Sequence, residues 1–366
     1  MKVFNLKKIL TFTLAFFFVL NFSVFADENK ISYEQALNKV IENTDALENL
    51  EDSMVYLDEV KSKANTNLSD LNASMGMPLQ QASTAYTQII QLTRAIMSYE
   101  NQISNYEMNK QILRDTAEFT LRNHIANIKL YMMDIDLLKK QIELGTKNLN
   151  VIKLKNERGL ASDLELSNAQ NNLAQQKNNL SNSNIKLQNE KQALNKLMGL
   201  DINSNIEVEL EMPLETFDKD IDSYVLNEKN NSPVILMQRK LVSEAQYAVD
   251  SFTNLINEVE SEPVNNLKKT TREYEQTIKT LENNIRSAYN NLKNLQENQN
   301  ALEKNLASMQ NIYNTNSIKY KAGLISANML EESKINVEQA QYMLDKNEIS
   351  CSNLIFSLNR SYLLMN

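Results

Sequence analysis

His124 and Cys351 are the only histidine and the only cysteine in the chain, so few residues have the types that catalysis needs. One imidazole cannot supply both halves of a nucleophile–base relay or a histidine-rich metal set. A lone cysteine closes no internal disulfide. There is no Gly-rich phosphate loop and no His-Glu-x-x-His pair. The chain is therefore predicted not to be an enzyme, with no catalytic, cofactor-binding or metal-binding residues. His124 reads as a packed polar residue on a helical seam, and Cys351 as a small buried hydrophobe.

What repeats is a corner. Arg158-Gly159-Leu160-Ala161-Ser162 is followed by Asp163-Leu164-Glu165, and Lys321-Ala322-Gly323-Leu324-Ile325-Ser326 stands 164 residues further on. Each glycine is placed to end a helix in the left-handed region, and each serine to cap the next one. Ser162 with Glu165 has the spacing of a capping box. The first task of these residues is to turn the chain.

The elements between the corners follow from composition and period. Five glycines, four prolines and no tryptophan in 366 residues leave too little punctuation for a sheet protein, whose many turns need Gly and Pro. The fold class predicted is all-α. The 164-residue offset also pairs Leu166 with Leu330, Asn172 with Asn336, Leu180 with Leu344 and Leu194-Asn195 with Leu358-Asn359. That is an internal duplication. From Val264 a ladder, apolar but for Thr271, Gln299 and Asn316, passes through Leu267, Thr271, Tyr274, Ile278, Leu281, Ile285, Ala288, Leu292 and Leu295 to Tyr320 in steps of three and four, a heptad seam. The matching ladder begins near Pro78, reaches Arg158, and takes one extra residue between Ala117 and Leu121, a stutter that relaxes the supercoil. Gly145 lies on that seam, where a close approach of helices explains it. Shorter helices are expected over Asp45–Asn72 and Ser232–Glu260, with a capping box at Ser32 and Gln35. Residues 200–222, with Ile206–Leu210 alternating and Pro213 closing the run, read as a small extended connector. The predicted division is 1–26 signal peptide, 27–199 first repeat, 200–222 connector and 223–366 second repeat.

Lys2, Lys7 and Lys8 precede an apolar run from Ile9 to Leu20, and Val24-Phe25-Ala26 supplies a small-residue cleavage site, the layout of a secretory signal cut after Ala26. An uncleaved anchor over Ile9–Phe25 is the alternative, at the short limit for spanning and interrupted by Asn21. Losing those three lysines takes the formal charge from −8 to −11. An exported chain this acidic is a poor partner for nucleic acid or an anionic membrane surface.

A short helix, a long helix, a Gly-Leu corner and a return helix, all duplicated, resemble the outer-membrane efflux family typified by TolC. Ile31–Leu37 with Asn43–Leu47 is similar to that family's opening helix, the two corners to its corner motifs, and Leu197-Met198-Gly199-Leu200 to the end of its first repeat. The resemblance implies a homotrimer enclosing a helical tunnel. It further implies a docking tip that meets a periplasmic adaptor (membrane fusion protein) coupled to an inner-membrane transporter. By resemblance that tip comprises Gly159, Leu160, Ser162, Asp163, Glu165, Gly323, Leu324 and Ser326. Met329 stands where the second repeat would carry the counterpart of Glu165.

The family also inserts two membrane strands between the short and long helices of each repeat, and each needs about 9–11 alternating residues. Leu68–Pro78 and Ser251–Pro263 have no room for two such strands and do not alternate. Tight helix-to-helix turns are expected near Gly76–Pro78 and Glu260–Pro263, and a duct without a membrane barrel. The function expected is an efflux component in the cell envelope. A structural coiled-coil spacer or tether is the alternative, and an adaptor is disfavoured because adaptors carry Gly-rich β-domains. Two Gly-Leu-x-Ser tips at one level favour the duct.

Overall fold

The structure, a computed structural model, describes residues 30–73, 79–256 and 261–365. The signal segment and the Gly76–Pro78 turn lie outside the described residues. So does residue 260 of the second expected turn, while Ser261–Pro263 form the first turn of a helix, where proline needs no amide partner.

Eight α-helices account for nearly all of the described chain: α1 (Tyr33–Glu42), α2 (Asp45–Ala73), α3 (Leu79–Glu157), α4 (Asp163–Leu197), α5 (Ile221–Asn231), α6 (Pro233–Ile256), α7 (Ser261–Lys321) and α8 (Ala327–Asn359). A 3-10 turn, Ser361–Met365, follows them. The 79 residues of α3 span about 118 Å at 1.5 Å per residue. Nothing in its interior breaks it, because proline is absent and Gly145 is the one glycine. There α4 comes so close that a Cβ on Gly145 would meet Gln176 Oε1 at 2.9 Å.

The extended connector shrinks to β2 (Glu207–Val208), which pairs in parallel with β1 (Lys30–Ile31). Two asparagine-led contacts, the first of them buried, hold the rest. Asn195 donates to the carbonyls of Ile202 and Ser204, and its repeat mate Asn359 to Thr216 O and Glu215.

The duplication is visible in the cores. Ala117, Leu121, Ile128 and Leu194 are buried in one cluster; Leu281, Ile285, Leu292 and Leu358, each 164 residues later, are buried in a second. α1 covers the first cluster, and α5 with the start of α6 covers the second. Cys351 is packed in the second, and burial pushes its thiol up. Half-buried His124 pairs through Nδ1 with Glu190 at 2.7 Å, and Asn127 donates to the same carboxylate. Towards the corners the packing order is α4, α3, α8, α7; towards the other end it is α2, α3, α6, α7. The molecule is a wall four helices wide, with α7 along one edge and α4 and α2 along the other.

Candidate functional site

The two corners are built alike from the backbone outward. At the end of α3, Gly159 has φ +70°. Its N–H donates to Asn156 O at 2.8 Å, and that of Leu160 to Lys155 O at 2.7 Å, the paired bonds of a Schellman cap. Gly323 repeats this at φ +72°, with bonds to Tyr320 O and from Leu324 to Lys319 O, both at 2.9 Å. A Cβ on either glycine would meet nothing within 4 Å. The requirement is for the left-handed backbone, not for space.

Ser162 and Ser326 then cap α4 and α8, accepting from the amides of Glu165 at 3.2 Å and Met329 at 3.3 Å. Only the first corner completes the box: Glu165 Oε2 accepts from the Ser162 amide at 2.7 Å. That bond holds the Glu165 carboxyl below its usual range, so it stays ionised through neutral pH. Asp163 accepts from Asn156 at 2.9 Å, tying the corner across its base. The first turn of α8 has no acid, while the last turn of α7 carries Lys319 and Lys321. The first corner therefore carries both signs, with Lys155 and Arg158 beside Asp163 and Glu165, while the second carries bases alone at its tip.

Each turn throws its leucine outward. Leu160 and Leu324 are both 74% exposed, and Leu164, Ile318 and Met329 are exposed beside them. The eight residues expected at a tip thus fall into two groups of like geometry, one per corner. The two corners do not stand at one level, contrary to the sequence expectation. Asn328, two residues past Ser326, bonds to Asn148, eleven residues short of Gly159, at 2.7 Å. Lys140–Glu338 and Asn123–Asn353 continue the same register. The second corner is set back by about 10 Å at 1.5 Å per residue. The register between hairpins, not the repeat within each, fixes that height, so the duplication could not reveal it.

Residues 227–348 match the family described as outer membrane efflux protein. No curated protein matches the chain. Among solved structures, the MtrE outer membrane channel of Neisseria gonorrhoeae in its open state is similar at TM-score 0.63 and 10% identity, over 90% of this chain and 88% of that one. The CmeC outer membrane channel of Campylobacter jejuni gives 0.61 and 14%, over 91% and 86%. The outer membrane protein VceC of Vibrio cholerae gives 0.54 and 12%, over 75% of each chain. The chain shares the fold of these outer membrane channels. At these identities the shared property is the fold.

Within the four-helix wall one feature escaped the sequence reading. Arg122 is fully buried in α3, with two guanidinium nitrogens on Pro213 O at 3.2 Å and one on Ser352 Oγ at 3.0 Å. Arg360 pairs with Glu215 at 2.9 Å and Asp115 at 3.3 Å, and both guanidinium groups lie over the ring of Phe356. Together they pin the connector across the joint between repeats. A signal for it existed: Glu118-x-x-x-Arg122 recurs as Glu282-x-x-x-Arg286 at the 164-residue offset.

Proposed function

We propose that this chain is an efflux component of the cell envelope, three copies of which close a helical duct that docks by its corners on a periplasmic adaptor coupled to an inner-membrane transporter. The observation that carries the reading is the open-edged wall ending in two exposed Gly-Leu corners. A wall four helices wide with free edges on both sides is completed by copies of itself, and a closed ring satisfies every edge. Corners whose leucines stand largely in solvent are suited to a partner's apolar tips.

The duct is proposed to lack a membrane barrel. Between α2 and α3 stand residues 74–78, and between α6 and α7 residues 257–260, fewer in each case than one spanning strand needs, about 9–11. No helix among the described residues is long and apolar enough to cross a membrane.

The test replaces Leu160 and Leu324 together by Glu, at exposed sites where folding is spared. Crosslinking of the chain to its adaptor and export should fall to background while the mass of the assembly is unchanged. Persistent crosslinking and export would reject docking through the corners and favour a spacer or tether. Stable conductance from the mature chain in liposomes would reject the barrel-less duct.

A further inference from the structure

Away from the corners, α2 and α7 are the two free edges of the wall. α2 carries Asp45, Glu48, Glu51, Asp52, Asp58 and Glu59 before its first base, Lys61. Among these acids Val55 and Tyr56 are 62% and 66% exposed. The opening turns of α7 carry Lys268, Lys269, Arg272 and Lys279, all exposed, with Glu262, Glu273 and Glu275 exposed among them. Among the described residues Asp52, Arg272 and Lys279 have no ion-pair partner. Glu59 and Lys269 have only loose contacts of 3.8 Å along their own helices, to Lys63 and Glu273.

The repeat shows that these faces are built to be covered. In the middle of the wall, Lys240 of α6 reaches Asn105 of α3 at 2.9 Å and bonds Ser104 as well. The α7 counterparts of Ser104 and Asn105, 164 residues on, are Lys268 and Lys269. Lys240 stands seven residues into α6, and Asp52 stands seven into α2. The face α3 offers to α6 is thus basic on α7, and the face α6 offers to α3 is acidic on α2.

Register decides which residues would meet. Lys61 pairs with Glu100 at 3.2 Å. Lys240 fixes α6 against α3, and Glu244 shares a groove with Thr270 of α7. Lys61 and Thr270 therefore lie within about one helical turn of the same height. In a closed ring there is no rise from copy to copy, so the same height holds for the neighbour's α2. Equal steps along the two antiparallel helices bring Glu59 opposite Arg272 and Asp52 opposite Lys279. Each pair lies one heptad from the other, on one stripe of each helix, with Tyr56 and Gln276 between. Glu275, also exposed, is the one acid between the two bases apart from Glu273, which faces Lys269.

We propose that the end of the duct opposite the corners is closed by a second copy of this chain, its α7 laying Arg272 and Lys279 on Glu59 and Asp52 of α2 over the Tyr56 face. This inference rests on the closed-ring reading and supplies what would hold that end together without a membrane barrel. Opposite charges at a fixed spacing select one register and reject slipped ones.

Sedimentation of the mature chain tests it. Arg272→Glu with Lys279→Glu should weaken self-association at least tenfold, and adding Asp52→Lys with Glu59→Lys should bring it back to within about threefold. All four side chains are exposed, so unchanged circular dichroism accompanies both variants. Tyr56→Cys with Gln276→Cys should form intermolecular disulfides up to the trimer on oxidation. Reversal without effect, a fourfold variant no better than the twofold one, or absent disulfides in a chain that still sediments as a trimer would overturn this interface and leave the ring. A wild-type chain that stays monomeric at all concentrations would overturn the ring itself, and the interface with it.

Discussion

Arg122 and Arg286 occupy the same place in the two repeats and have opposite fates. Arg286 sits at the surface, bonded to Asp222 and Glu282 at 2.8 and 3.0 Å. Arg122 is sealed beneath the connector, and its Nε has no partner. A buried guanidinium is tolerated only where its hydrogen bonds are met, and here the Pro213 carbonyl and Ser352 meet most of them. Arg122→Ala should therefore cost about 3 kcal/mol, from the lost bonds to Pro213 and Ser352 and a cavity beside Phe356. Arg122→Met keeps the volume and should cost less, while Arg286→Ala should leave stability unchanged. Urea unfolding followed by circular dichroism separates the three; equal effects at both arginines would show that the connector is not clamped. The Glu-x-x-x-Arg recurrence was legible in the sequence. Which arginine would be buried was not, because that depends on where the connector crosses, a matter of long-range packing.

Among the elements, the helices and corners were the legible part. Heptad spacing, the scarcity of glycine and proline, and the serine caps are local signals, and local hydrogen bonding is what realises them. The collar of α1, α5, the connector and the closing 3-10 turn was legible only in pieces. Its β1–β2 pair joins residues far apart in sequence, and two-residue strands leave no periodic trace. The collar has a titration signature. Tyr33, Tyr224 and Tyr362 are all shifted upward, chiefly by burial, with Glu118, Glu228 and Asp115 respectively adding to it. A raised folded pKa means that the native state holds the phenolic proton more tightly than the unfolded chain. Their stabilisation is full below the unfolded value of about 10 and is lost as pH rises above it. The thermal midpoint should stay flat to about pH 10 and then drop. The phenolate absorbance of these three among the 14 tyrosines should appear only together with unfolding. Free titration of every tyrosine near pH 10 in the folded protein would contradict a packed collar.

At the scale of the whole molecule the set-back of the second corner matters most. Three copies closing about an axis would present a rim of alternating corners, those of mixed charge projecting and the basic ones recessed by about 10 Å. A partner fitted to that rim must be stepped as well. One heptad added to α7 and one to α8, at facing positions beyond the buried cores, would lengthen the second hairpin by about 10 Å and level the rim. Seven residues preserve the phase of the seam, so helicity and assembly mass should be retained. Four residues would turn the seam of α7 away from α8 and should destabilise the hairpin. With the heptad insertion, crosslinking of the corners to the adaptor should fall severalfold although every corner residue is intact. Undiminished crosslinking would mean that the partner reads each corner singly, and that the difference in height between them has no part in docking.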